Sequence, residues 1–270
     1  MIRLLIFGPG YTGSRIADAV EDRHGSVIRI GRSRLDAADA EIATATHIVS
    51  SVPPDGGSDP VLLRYASALA NTGKWLGYLS STGVYGDTGG AWVDESAPVG
   101  GGRRGARAET DRAWLALGAR VFRLPGIYGP GRSPLDRIAD GRAYRVDAPG
   151  QMFSRIHVED IVSGVLAAFD APPGAYNLAD DLPAPQDEVI AYAAALAGAP
   201  LPPLLRPDQL SAPARAFYDE SRRVANGKAK RVLGWQPRFP TYREGLRALS
   251  ASTSPASVSA PPSAAVTDQR

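Results

Sequence analysis

Ile2-Arg3-Leu4-Leu5-Ile6-Phe7 followed by Gly8-Pro9-Gly10-Tyr11-Thr12-Gly13 opens the chain, an apolar run that stops at a G-x-G-x-x-G. Between a strand and a helix this spacing is a dinucleotide fingerprint. The first glycine permits a tight turn, the second lets backbone approach a pyrophosphate, and the third lets the helix pack close to the strand. Ile16, Ala17, Ala19 and Val20 supply the apolar face of that helix, and His24-Gly25 reads as its end.

Working outward, strand-like runs alternate with helical ones, which predicts an α/β fold: a Rossmann-type, doubly wound parallel sheet with a smaller C-terminal lobe. Strands are expected at Ser26–Ile30, Thr46–Val52, Trp75–Ser80, Arg120–Leu124 and Tyr176–Leu178, with helices at Pro60–Asn71, Ala106–Leu117, Val158–Phe169 and Gln186–Ala197. Two short helices follow, around Ala225–Leu233 and Tyr242–Leu249. The residues between the second strand and His47 are too few for a full crossover plus a third strand. That unit reads as abbreviated, with Leu35-Asp36 as the remnant of its strand. The division is 1–170 for the nucleotide-binding domain, 171–249 for the substrate lobe, and 250–270 for a Ser/Ala/Pro-rich disordered tail.

Composition narrows the function class. The 270 residues carry a formal net charge of +2, too small to argue for nucleic acid or a membrane surface. With no cysteine there is no disulfide, thiolate nucleophile or cysteine-bound zinc. His24, His47 and His157 are scattered, so no metal site is expected. The N-terminal apolar run is too short for a signal peptide and no stretch spans a bilayer, so the expectation is a cytoplasmic protein acting on a small molecule.

Further motifs follow in order: Ser80-Ser81-Thr82-Gly83-Val84-Tyr85-Gly86, Arg123-Leu124-Pro125-Gly126-Ile127-Tyr128-Gly129-Pro130-Gly131, Arg155-Ile156-His157-Val158-Glu159-Asp160-Ile161, and Leu233-Gly234-Trp235-Gln236-Pro237. With the glycine run, this set resembles the NAD(P)-dependent epimerase/dehydratase family, the extended short-chain dehydrogenases/reductases, over Met1–Leu249. The resemblance implies a dinucleotide held by Gly8, Gly10, Tyr11, Thr12 and Gly13, and a lobe that closes over a substrate, often a nucleotide sugar. Ser51, Val52 and Pro53, or a proline turn without ligand contact, end the next strand beside that cleft, and Leu124-Pro125-Gly126 would line the nicotinamide. Family members often dimerise, so a homodimer is within the expectation. After the second strand comes Gly31-Arg32-Ser33 where an acidic residue would hold the ribose hydroxyl of NAD. Arg32 and Ser33 instead suit the 2′-phosphate of NADP.

The catalytic pattern breaks. The family's Ser/Thr corresponds to Ser81, which also reads as a strand-end hydroxyl capping backbone. Its Tyr-x-x-x-Lys pair is absent: registering Asp111 on the acidic position puts Arg103 and Arg107 there, and a shift of one gives Arg104 and Ala108. An arginine keeps its proton and cannot replace a tyrosine as acid/base, though Arg107 could hold a ribose as lysine does; the cluster is equally a solvated helix start. Tyr85 and Tyr128 are candidate relocated proton donors, each also a packing residue. His157 is read as structural, Asp94-Glu95 as a solvated loop pair, Arg123 as an anchor for a buried acid or backbone, and Trp235 as packing the C-terminal lobe. Arg145, Arg155 and Arg222 are phosphate ligands or exposed side chains. The expected protein is an NADP-dependent oxidoreductase or epimerase/dehydratase on a small carbonyl or nucleotide-sugar-like substrate. Its alternative is a non-catalytic NADP(H) sensor.

Overall fold

The computed structural model describes residues 1–70, 72–101 and 105–253. Apolar runs and amphipathic runs alternate through β1 (Arg3–Phe7), α1 (Tyr11–Glu21), β2 (Ser26–Ile30), α2 (Asp39–Thr44), β3 (His47–Ser50), α3 (Pro60–Leu69) and β4 (Trp75–Ser81). Then come β5 (Trp92–Val93), α4 (Gly105–Ala116), β6 (Arg120–Leu124), β7 (Gly126–Tyr128), α5 (Pro134–Ala139), β8 (Arg145–Val146) and β9 (Arg155–His157). The remainder is α6 (Val158–Ala167), β10 (Gly174–Asn177), α7 (Gln186–Leu196), β11 (Leu204–Leu205), α8 (Ala212–Ala216), β12 (Arg223–Val224), α9 (Gly227–Leu233) and α10 (Tyr242–Thr253).

Six of these strands form one parallel sheet in the order β10-β6-β4-β3-β1-β2. Side chains alternate across it as the two-residue period requires. Leu4 and Ile6 join Ile16, Val20, Ile161 and Val165 from α1 and α6 on one face. Leu5 and Phe7 join Tyr65, Leu69 and Trp114 from α3 and α4 on the other. Each fully buried side chain of this size contributes about 1.5–3 kcal/mol of transfer free energy, so both helix layers are fixed by the sheet they cover. The chain leaves β1 toward β2 on one side and returns to β3 on the other, with Phe7 level with Ser50. At such a reversal the loops diverge and leave a crevice beyond the strand ends.

The abbreviated unit is present as a six-residue α2 between β2 and β3. Leu35-Asp36 is not a strand remnant. The Leu35 carbonyl accepts from the Tyr65 hydroxyl at 2.7 Å and Asp36 pairs with Arg64, so this stretch is docked on α3. A division at residue 170 does not follow the sheet either: β10 is one of its strands, whereas β8 pairs with β11 and β12 with β5. The lobe is therefore assembled from interleaved segments. Its core gathers Tyr128, Val189, Tyr242 and Leu246. The helix expected to reach Asn71 ends at Leu69, and Asn71 lies outside the described residues. Residues 250–253, expected in the tail, belong instead to α10, which runs to Thr253; the remainder of that expectation lies outside the described residues. Among the described residues no helix is long and apolar enough to cross a membrane.

Candidate active site

The glycine turn separates its three roles geometrically. Gly8 has φ +78°, and its N–H donates to the Ile30 carbonyl at 2.9 Å, tying the end of β1 to β2. A Cβ on Gly13 would lie 2.7 Å from the Gly8 carbonyl oxygen, so α1 sits as close to the strand as a missing side chain allows. A Cβ on Gly10 would meet nothing within 4 Å. Gly10 lines the cleft and is the N-cap of α1, which has no side-chain cap. The first turn of the helix thus presents backbone N–H groups and the positive end of its dipole to open space, the donor set that a pyrophosphate needs. A dinucleotide fits this cradle.

That space is a cleft of about 470 Å³ bounded by Gly10, Tyr11 and Thr12 on one side and by Ser81, Leu124, Pro125 and Gly126 on the other. Ser51 also lines it and donates its hydroxyl to the Gly8 carbonyl, bracing the turn from β3. Val52 packs against Gly8, its Cγ2 3.1 Å from the Gly8 Cβ position, and neither it nor the exposed Pro53 lines the cleft. Arg32 and Ser33 are exposed in a 3-10 turn directly after β2, beside the glycine turn, and Arg32 makes no ion pair among the described residues. They remain available to a group beyond the end of β2.

Ser81 ends β4 and accepts from the Gly83 N–H at 3.1 Å. It also lines the cleft, and as the acceptor in that cap it keeps its own hydroxyl hydrogen to donate. A buried network holds this strand end. Arg123 grips Asp111 with two bonds, Nη2 to Oδ1 at 2.8 Å and Nε to Oδ2 at 3.1 Å, and Ser80 donates to Oδ2 at 2.7 Å. The pair is almost wholly buried, and its fork geometry locks β4, β6 and α4 together. Arg123 anchors a buried acid, as the sequence suggested. From α4 the Arg107 guanidinium donates to the Tyr78 hydroxyl at 3.1 Å and lines the cleft. Ala108 is buried and does not line the cleft. Arg103 and Arg104 lie outside the described residues.

The two relocated proton donors do not reach this cleft. Tyr85 is buried, donating to Asn177 Oδ1 at 2.8 Å and accepting from Arg123 Nη1 at 3.0 Å; burial raises its pKa. Tyr128 packs edge-on to His157 with its hydroxyl against Gly245 of α10, and burial, reinforced by Asp180 and Asp160, holds its proton on firmly. Both are structural, because an acid must come within hydrogen-bond reach of the reacting atom and neither tyrosine lines this cleft. His157 caps α6, its Nδ1 accepting from the Glu159 N–H at 3.3 Å, and burial pushes its pKa down to about 4. Glu95 is not solvated: it accepts from the Asn177 N–H at 2.7 Å, and burial raises its pKa. Trp235 packs on α6, donating to Ser163 Oγ at 3.0 Å, so it serves the sheet's helix layer.

The far wall was not legible as a site. Arg155 is buried, donating to the Phe153 and Ala184 carbonyls at 2.9 Å and to Gln186 Oε1 at 2.8 Å, so it is neither exposed nor free for phosphate. Arg145 donates to the Pro202 carbonyl at 3.0 Å. Arg222 pairs with Glu220 at 3.0 Å on the cleft wall. Phe153, Phe217 and Arg132 complete that wall. Their segments are far apart in sequence: Arg145, Arg155 and Arg222 were singled out there, whereas Phe153, Phe217 and Arg132 carried no signal.

No protein-family profile matches the chain. It is 30% identical over 168 residues to a 3-diazoavenalumate denitrifying reductase from a Streptomyces species, a match covering 57% of this chain and 55% of that protein. The chain thus spans about half the length of that curated relative. A functionally unknown conserved protein from Silicibacter pomeroyi superposes with TM-score 0.85 and 41% identity over 93% of this chain and 99% of the other. The human epimerase family protein SDR39U1 with NADPH superposes at TM-score 0.74 with 16% identity, covering 93% and 99%. NAD-dependent epimerases and dehydratases share the same fold at 22% identity or less.

Proposed function

On a chain with the NAD(P)-dependent epimerase/dehydratase fold, we propose that this cleft is the site of an NADP(H)-dependent oxidoreductase. The observation that carries the reading is the open Gly10 cradle at the uncapped start of α1, facing Ser81 and the Leu124-Pro125-Gly126 wall across one cleft. Solved proteins of this fold hold NADPH or NAD, which supports a nicotinamide group here. The reductase in the name of the Streptomyces relative supports reduction as the direction of use.

Within that reading the chain's own groups divide the work. Backbone N–H groups of α1 bind the pyrophosphate, and Arg32 with Ser33 binds a ribose 2′-phosphate, a task for which a planar guanidinium is well suited. Ser81 donates its hydroxyl hydrogen to the reacting oxygen and so orients it. Arg107 contributes a guanidinium near the ribose, a side chain that offers donors and no acceptor and so cannot complete acid/base transfer. The cofactor, when bound, supplies or accepts hydride. Because Tyr85 and Tyr128 are tied into the core, the proton on this reading comes from water admitted to the cleft.

That same burial of both tyrosines favours the second reading, a non-catalytic NADP(H) sensor. Titration of NADP(H) and NAD(H) against the wild type and Arg32→Ala, followed by NADPH oxidation with carbonyl and sugar-nucleotide panels, tests both. Tighter NADP(H) binding that Arg32→Ala equalises with NAD(H), together with turnover, is the expected result. Binding without turnover leaves the sensor, and an unchanged preference in Arg32→Ala removes the cofactor assignment.

A further inference from the structure

Beyond the cleft, and sharing Ile127, Arg132, Arg155, Gln186 and Phe217 with it, lies a second compartment of about 540 Å³. It is bounded by α5, α10 and the 3-10 turn Phe217–Asp219. Two properties distinguish it from a sugar site. Its walls are aromatic: Phe217, 43% exposed, stacks on Phe153 with ring centres 4.8 Å apart and planes 11° apart, and Tyr218 meets Phe153 edge-on at 5.6 Å. Tyr144 adds a further ring. An exposed phenylalanine on a cavity wall costs free energy unless something apolar covers it, and its open face continues an existing stack.

The second property is unbalanced charge. Asp136 turns Oδ2 to its own helix cap, accepting there from Ser133 N–H and Oγ at 2.6 Å each. Arg142 is paired with Asp140, and Gln186 Oε1 is occupied by Arg155. Asp136 is the one carboxylate among the residues that line the compartment, against Arg132, Arg137, Arg142 and Arg155. Arg137, exposed on α5, makes no ion pair among the described residues and lines the compartment.

From this, and resting on the oxidoreductase reading, we infer that the substrate is a planar aromatic carboxylate. Its ring lies against Phe217 and Tyr218 and its carboxylate meets Arg137, while its far end points through the shared opening toward Ser81. One guanidinium satisfies one carboxylate with two parallel bonds, and Arg137 has that fork to offer.

The test is calorimetric titration of the full chain, with and without NADP⁺, using 4-hydroxycinnamate as probe. Cyclohexanecarboxylate controls for the ring, 4-hydroxybenzyl alcohol for the charge, and UDP-glucose stands for the nucleotide-sugar class. 4-Hydroxycinnamate is expected to bind best, with both Phe217→Ala and Arg137→Gln weakening it about tenfold, the loss of one stacked or charge-assisted contact. Arg137→Gln should keep wild-type NADP⁺ affinity, which reports that the variant is folded. Preferential binding of UDP-glucose, equal binding of the alcohol, or indifference to both substitutions overturns the inference. If NADP⁺ fails to bind while 4-hydroxycinnamate binds, the oxidoreductase reading falls and the aromatic site stands. If NADP⁺ binds and 4-hydroxycinnamate does not, the reverse holds.

Discussion

Two methyl groups, added at two glycines three residues apart, should have opposite consequences. At Gly13 the new Cβ would sit 2.7 Å from the Gly8 carbonyl oxygen, a backbone atom that cannot swing aside, with Ile6 Cδ1 and Ser51 Oγ both at 3.3 Å. α1 must then lift from β1. Overpacking of this kind costs about 1–3 kcal/mol, which for a chain of this size lowers Tm by roughly 2–12 °C. At Gly10 the Cβ meets nothing within 4 Å, and the backbone, at φ −86° and ψ −158°, is open to any residue. Losing glycine at an N-cap costs at most about 1 kcal/mol, so Gly10→Ala should melt within a few degrees of wild type. Its methyl, however, occupies the side from which phosphate approaches. If steric displacement there costs about 1.4 kcal/mol or more, NADP(H) affinity falls at least about tenfold. Thermal melts paired with NADP⁺ titrations separate the two effects. Wild-type affinity in Gly10→Ala would show that the pyrophosphate does not cross Gly10, and the cofactor assignment would lose its main support. A wild-type melt in Gly13→Ala would refute the close approach of helix and strand.

Tyr128→Phe should melt at or slightly above the wild-type temperature, because the buried hydroxyl it removes has no hydrogen-bond partner among the described residues. It should also leave any NADPH turnover intact; a large loss of turnover would return Tyr128 to the acid/base role. A third expectation concerns pH. Burial raises the Asp180 carboxyl to about 8, so between roughly pH 4 and 8 the folded state holds a proton that the unfolded chain has released. Stability from this group is complete below pH 4 and lost as pH rises through 8. His157, held down to about 4, runs the opposite way below its unfolded value near 6.5, and Asp160, raised to about 6, has released its proton by then. The window from about 6.5 to 8 is therefore left to Asp180: urea stability should fall with rising pH there and flatten in Asp180→Asn. An unchanged slope in the variant would contradict the assignment.

The two sides of the cleft differ in how much of them could be read in advance. The glycine turn, β1 and α1 were legible because every interaction that defines them is local: a turn needing φ above zero, a helix with apolar spacing, a strand that stops at glycine. Ser81 came from the resemblance, through the run Ser80-Ser81-Thr82-Gly83-Val84-Tyr85-Gly86, and it stands at the end of β4 on the cleft. Leu35-Asp36 was misread because strand propensity over two residues carries no information about docking, and the hydroxyl of Tyr65, thirty residues away, captured that carbonyl instead. Glu95 was misread as solvated because its partner, the Asn177 N–H, is 82 residues distant.

By itself the sequence determined a doubly wound sheet, the place of its glycine turn at the start of α1, an arginine directly after β2, and the absence of a Tyr-x-x-x-Lys spacing. Tertiary structure decided which groups share water. It sealed Tyr85 behind Arg123 and Asn177 and pressed Tyr128 on Gly245. It also brought Phe217 and Arg137, from separate segments, to one compartment, with Phe153 stacked on Phe217. Burial and long-range proximity arise only when the sheet and its interleaved lobe close on one another. A tyrosine's availability as an acid, or an arginine's as a ligand, is therefore a property of the closed fold and not of the residues around it in the chain.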